Sequence, residues 1–178
     1  VENNLDDIKL GTVFPKANLA WNNHFSWKGI SLSALITARI GGNVYSSTEE
    51  SMDQYGVSER SALARDYGGV LLNGRTLVDA QTYYTAIGSE SGLPQYYTYS
   101  ATNVRLQEAS LGYTIPRKWL GNACDIQVSV VGRNLWMIYN KAPFDPEAVA
   151  TTDNYYQGID YFMLPSTRNI GVNVKITF

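Results

Sequence analysis

The sequence predicts an all-β chain whose antiparallel strands belong to a membrane-spanning sheet, and three observations predict it. The first is the alternation that closes the chain: Ile170, Val172, Val174, Ile176 and Phe178 are apolar, whereas Asn169, Gly171, Asn173, Lys175 and Thr177 are small or polar. Successive side chains on a strand point to opposite faces, so this segment offers one face to an apolar medium and the other to water. The second is length. Two neighbouring arms near the start each run for about 11 residues, which matches the ~9–11 that a tilted strand needs to cross a bilayer and exceeds the usual 5 or 6 of soluble strands. The third is the strict alternation of long and short connections, which membrane barrels use to put their bulk on one side.

The first arm runs from Lys16 to Trp27, with Ala17, Leu19, Trp21, Asn23, Phe25 and Trp27 on one parity and Asn18, Ala20, Asn22, His24 and Ser26 on the other. After Lys28-Gly29, a turn dipeptide, Ile30, Leu32, Ala34, Ile36, Ala38 and Ile40 alternate with Ser31, Ser33, Leu35, Thr37, Arg39 and Gly41, which makes the pair a hairpin. Gly42 to Thr102 shows no sustained period of two and reads as a long loop, with a surface helix expected between Ser47 and Arg65, where Ser47-Ser-Thr-Glu-Glu is cap-like. Strand character returns at Asn103 to Ile115. There Val104 and Leu106 sit on the opposite parity to Ala109, Leu111, Tyr113 and Ile115, so a bulge is expected near Gln107 or Glu108. Pro116 to Cys124 is a connection, and Ile126, Val128 and Val130 begin a further strand whose parity blurs around Gly132-Arg-Asn134. A second long loop, Asn140 to about Pro165, leads into the terminal strand. About five strands cannot close a barrel, because even a small one needs about 8.

Periodicity by itself leaves a soluble β-rich module open, since a half-buried sandwich strand alternates in the same way. A hydrophobic fraction of 44% excludes neither reading. No run of about 18 apolar residues occurs, so no transmembrane helix is expected. Thirteen Tyr and four Trp suit both membrane interfaces and carbohydrate or peptide contacts. A net charge of -2 gives no footprint for nucleic acid. Cys124 is the only cysteine and His24 the only histidine, which removes disulfides, thiolate zinc sites and most catalytic triads. The acidic opening Val1-Glu-Asn-Asn-Leu-Asp-Asp has no apolar h-region, which suggests a cytoplasmic protein or an internal piece of a longer one.

Four clusters then occur in a telling order: Asn103-Val-Arg-Leu-Gln-Glu-Ala-Ser-Leu-Gly-Tyr-Thr-Ile-Pro116, Val131-Gly-Arg-Asn-Leu-Trp136, Phe144-Asp-Pro-Glu147 and Pro165-Ser-Thr-Arg-Asn-Ile-Gly-Val-Asn-Val-Lys-Ile-Thr-Phe178. With Trp27-Lys-Gly and Gly41-Gly-Asn-Val-Tyr45 upstream, they resemble the carboxy-terminal strands of SusC/RagA-like TonB-dependent outer-membrane transporters. The resemblance implies that this chain supplies the last five or so antiparallel strands of a transmembrane β-barrel of about 22 strands. Gly42 to Thr102 and Asn140 to Pro165 would be its extracellular loops. It further implies import of glycans, oligosaccharides or peptides across the outer membrane of a Gram-negative bacterium, with a SusD-like surface lipoprotein as lid. Energy would come from TonB through the amino-terminal region, whose plug and TonB-contacting segment nothing here matches. Phe178 would be the mark read by the barrel-assembly machinery, with lipid-facing packing as the plain alternative. No cofactor is implied.

Among the polar candidates, Asp145-Pro146-Glu147, with Asp153 and Asp160 downstream, could supply oxygens to Ca²⁺, but the spacing is not that of an EF-hand and a turn fixed by Pro146 is the simpler role. Tyr83, Tyr84, Tyr96, Tyr97, Tyr155 and Tyr156 are candidates for contact with substrate or lid, against the alternative that they pack loop on loop. Arg39, Arg105 and Arg133 fall in strands and should avoid lipid, where a midplane Arg costs about 2–4 kcal/mol. No pair of loop carboxylates is held at a fixed separation, so no catalytic site is expected.

Overall fold

The computed structural model describes residues 9–89, 91–120, 124–151, 153 and 156–177. In chain order its elements are β1 (Ala17–Trp27), β2 (Ile30–Ile40), β3 (Asn43–Ser46), α1 (Ser47–Gln54), α2 (Glu59–Asp66), β4 (Val70–Leu72), β5 (Thr76–Val78), α3 (Ala80–Ile87), β6 (Thr98–Ser100), β7 (Asn103–Ile115), β8 (Asp125–Asn140), β9 (Ile159–Asp160) and β10 (Asn169–Thr177). They fall into two compact units. Pro15–Gly41, Ala101–Glu147 and the residues from Pro165 onward form one, and residues 9–14 with Gly42–Ser100 and Ala148–Leu164 form the other.

The first unit is a single antiparallel sheet in the order β1-β2-β7-β8-β10. Its tightest corner is Lys28-Gly29, where both residues have positive φ, 49° and 86°. That is the backbone of a two-residue I′ turn, and glycine takes its second position without steric cost. The register aligns the apolar parities into continuous rows, because residues directly opposite each other on paired strands share a face. One row reads Trp27, Ile30, Tyr113, Val128, Val174, and the next Phe25, Leu32, Leu111, Val130, Val172. The opposite face carries rows such as Ser26, Ser31, Gly112, Ser129, Asn173.

Among the described residues three register shifts interrupt the sheet, one of them between Val104 and Arg105, and the other two keep the apolar parity in phase. The register between β2 and β7 passes from Leu35 opposite Glu108 to Ile36 opposite Leu106, so Gln107 is the extra residue and Leu106 returns to the apolar face. Between β7 and β8 the pairing jumps from Glu108–Arg133 to Leu106–Trp136, with Asn134 at a φ of 53°. Both fall where the parities in the sequence conflict. The strand ends at Ala17, Ile40, Asn103 and Asn140 share one end of the sheet, where the connections are long; Trp27, Ile30, Ile115 and Asp125 share the other, where they are short.

The second unit departs from the expectation of an open loop. The expected helix between Ser47 and Arg65 is two, α1 and α2, interrupted at Tyr55–Ser58, and a third, α3, follows. Ser46, Ser58 and Asp79 cap them by accepting from the backbone N–H of Glu49, Ser61 and Thr82. Their apolar side chains build a small core of Ala64, Ala80, Tyr84, Ile87 and Tyr97. Parts of both loop regions meet in a three-stranded sheet, β6-β3-β9, in which β3 runs parallel to β9 and antiparallel to β6. Residues 101–102 and 140–147, read as loop from the sequence, belong with the larger sheet.

Candidate functional site

The large sheet has an apolar face with nothing over it among the described residues. Trp21, Phe25, Trp27 and Ile170 expose 60%, 63%, 69% and 72% of their surface, and Leu19, Leu111, Val130, Trp136, Val172 and Val174 are exposed as well. Buried hydrophobic residues of this unit are confined to Ala101 and Ala142 among those described. Scattered exposed hydrophobics are ordinary, but contiguous rows across five strands mark a surface that another apolar medium covers.

The polar face has the opposite chemistry. Ser33 and Ser110 share a 2.6 Å hydrogen bond across strands, and Arg133 Nε lies 2.9 Å from Glu108 Oε2. Arg39, Arg105 and Arg133 all lie on the parity of this face, away from the apolar rows.

Arg105 sits at the long-connection end of β7 and is 2% exposed. Its Nη2 reaches Asp145 Oδ1 at 2.8 Å and Glu147 Oε2 at 3.3 Å, and its Nη1 donates to Asn134 Oδ1 at 3.3 Å. Asp145 also accepts from the backbone N–H of Glu147 at 3.1 Å and from the Ser166 hydroxyl. Burial raises the Asp145 carboxyl, but the Ser166 hydroxyl, the Glu147 N–H and the Arg105 guanidinium together outweigh it and hold the group below the ordinary carboxylate range. Asn103 Nδ2 donates to Glu147 Oε1 at 3.3 Å, and Pro146 is fully buried between its acidic neighbours. The carboxylates of the Asp-Pro-Glu turn are thus committed to an arginine and a serine. Among the described residues no group of three or more His, Cys, Asp or Glu converges in a way that could hold a metal ion.

The tyrosines divide. Tyr97 is wholly buried and donates to Asp53 Oδ2 at 3.0 Å; Tyr84 is buried and donates to the Arg60 carbonyl at 3.3 Å. Both are core residues, not surface ones. Tyr83 packs edge-on against Tyr84 and donates to the Tyr96 hydroxyl at 3.3 Å; burial, then that bond, pushes its phenol up to about 12. Tyr96 and Tyr156 are exposed, joined by Tyr55, Tyr67 and Tyr161, while Tyr155 and Phe178 lie outside the described residues.

Sequence reading missed the charge knot under Tyr97. Asp53 is fully buried, Arg60 Nε lies 2.9 Å from both of its carboxylate oxygens, and Arg60 Nη2 lies 3.0 Å from Glu49 Oε2. Tyr99 closes the knot by donating to Glu49 Oε2 at 2.5 Å. Glu49 and Asp53, four apart on α1, share a helix face, and that spacing was the available signal.

A two-faced antiparallel sheet with an uncovered apolar side, long connections at one end and short ones at the other, defines a segment of β-barrel wall. Comparison with known proteins reaches the same class. No family model matches the chain. The TonB-dependent receptor P3 of Formosa agariphila is 24% identical over 176 residues, which cover 93% of this chain and 17% of the receptor. The fold matches a chain of the RagAB peptide importer in its open-open state, with a TM-score of 0.67 at 20% identity, and in its closed-closed state, with 0.68 at 19%. Each match covers 93% of this chain and under a fifth, 17% and 18%, of the other. Both likenesses agree with the resemblance carried by the sequence motifs, a carboxy-terminal piece of a SusC/RagA-like TonB-dependent transporter. These relatives are receptors and importers, not enzymes.

Proposed function

We propose that the chain forms carboxy-terminal wall strands and external loops of an outer-membrane TonB-dependent importer that takes up glycans, oligosaccharides or peptides together with a SusD-like lipoprotein. The observation that carries this reading is the belt of exposed apolar rows on one face of the sheet, backed by serine, asparagine and ion pairs on the other. Lipid covers such a belt without a second protein layer, and water in a lumen satisfies the polar face. Gly42 to Thr102 and Asn140 to Pro165 then stand outside the cell. There Tyr96 and Tyr156, with their rings exposed, are available to substrate or lid. TonB acts through the rest of the receptor.

The test is uptake of labelled oligosaccharides and peptides by the host carrying the whole receptor. Deleting the receptor gene, the lipoprotein gene or TonB should each abolish uptake of the same substrate. Uptake that survives loss of the receptor or of TonB would refute the reading.

A further inference from the structure

The short-connection end of the sheet carries lysine and tryptophan in two of its connections. Trp27 closes β1 on the apolar parity, and Lys28 folds back so that its ammonium sits over the indole, 4.8 Å from the ring centroid. The next connection at this end carries Lys118 and Trp119, both exposed, Trp119 to 73%. Strand order brings the two connections side by side, since β2 pairs with β7 and the Thr114 N–H donates to the Gly29 carbonyl at 2.7 Å. Two neighbouring connections therefore each carry an exposed lysine and tryptophan at the end of the sheet where the row Trp27, Ile30, Tyr113 closes the apolar face. Asp125 opens β8 at the same end, but on the parity of the polar face.

We propose that this corner binds the headgroup of an anionic phospholipid, with the acyl chains lying along the apolar rows beside it. The lysines supply positive charge at the edge of the apolar belt, the ring face under Lys28 holds one ammonium in place, and the indoles suit the boundary between hydrocarbon and water. A soluble anion would satisfy the lysines and leave the adjoining rows bare, whereas a lipid satisfies both. The inference rests on the membrane reading proposed above.

The test uses the full-length receptor in nanodiscs of mixed phosphatidylcholine and phosphatidylglycerol, with the lipid retained around the protein quantified by mass spectrometry. The wild type should enrich phosphatidylglycerol over the bulk mixture at low salt. The double variant K28Q/K118Q should lose about five-fold or more of that preference, while K141Q, at the opposite end of the sheet, should keep it. No enrichment in the wild type, or equal enrichment in the double variant, would overturn the proposal. A receptor that stays soluble and never enters the disc would overturn the membrane reading itself, an outcome recognisable before any lipid is counted.

Discussion

Arg105 shows what one charge does at the end of a barrel strand. Its guanidinium ties β7 to both acids of the Asp145–Glu147 turn, and Asp145 in turn accepts from Ser166, just ahead of β10. Removing one partner of a buried pair leaves the other uncompensated, so R105Q should destabilise the folded receptor by about 3–5 kcal/mol in denaturant titrations in detergent. R133Q, which breaks a solvent-exposed pair with Glu108, should cost no more than about 1 kcal/mol. The Asp145 carboxyl is depressed in the folded state. Its contribution is therefore complete above the unfolded value of about 3.9 and is lost as pH falls through the lower folded value. The stability difference between wild type and D145N should stay constant down to about pH 5 and shrink in more acid solution. In the smaller unit Y97F removes a hydrogen bond to the buried carboxylate of Asp53. Such bonds contribute about 1.5–3 kcal/mol, so limited proteolysis of the Gly42–Ser100 region should accelerate in that variant.

At the scale of elements, β10 offers a matched pair of neighbours in mid-strand. Val172 points to the apolar face and Asn173 to the polar one. V172R should lower the amount of folded receptor in the outer membrane, at a cost of about 2–4 kcal/mol, while N173R should be tolerated. Equal effects would remove the distinction between the faces. The strands of the large sheet were legible in the sequence because each is long enough for alternation to repeat, and a conflict of parity placed a bulge near Gln107 or Glu108, which the pairing sets at Gln107. The smaller unit was not legible for the opposite reason. β3 and β9 are short, and Tyr45 pairs with Ile159 across most of the chain, so neither repeats a pattern long enough to read. The interruption between α1 and α2 was visible only as Gly56 and the cap Ser58, which a polar run conceals. The same lack of pattern hid which tyrosines are core: Tyr83 and Tyr84 look alike in sequence, and helix phase alone separates the partly buried Tyr83 from the buried Tyr84.

For the whole molecule, the sheet is incomplete in two senses. Within the described residues the outer edges of β1 and β10 have no neighbouring strand, and the apolar rows have no cover. Unpaired edges and exposed apolar rows both favour association in water, and a closed barrel in a bilayer removes both. The smaller unit differs, since it has its own core and capped helices. The proposed function requires that the apolar face meet lipid. Its most direct test is to express these 178 residues alone without detergent and to follow them by size exclusion and circular dichroism. Aggregation relieved only by detergent or by the remainder of the barrel is the expected result. A monodisperse β protein that melts cooperatively in water would contradict the claim, because the apolar rows would then be buried in a soluble fold.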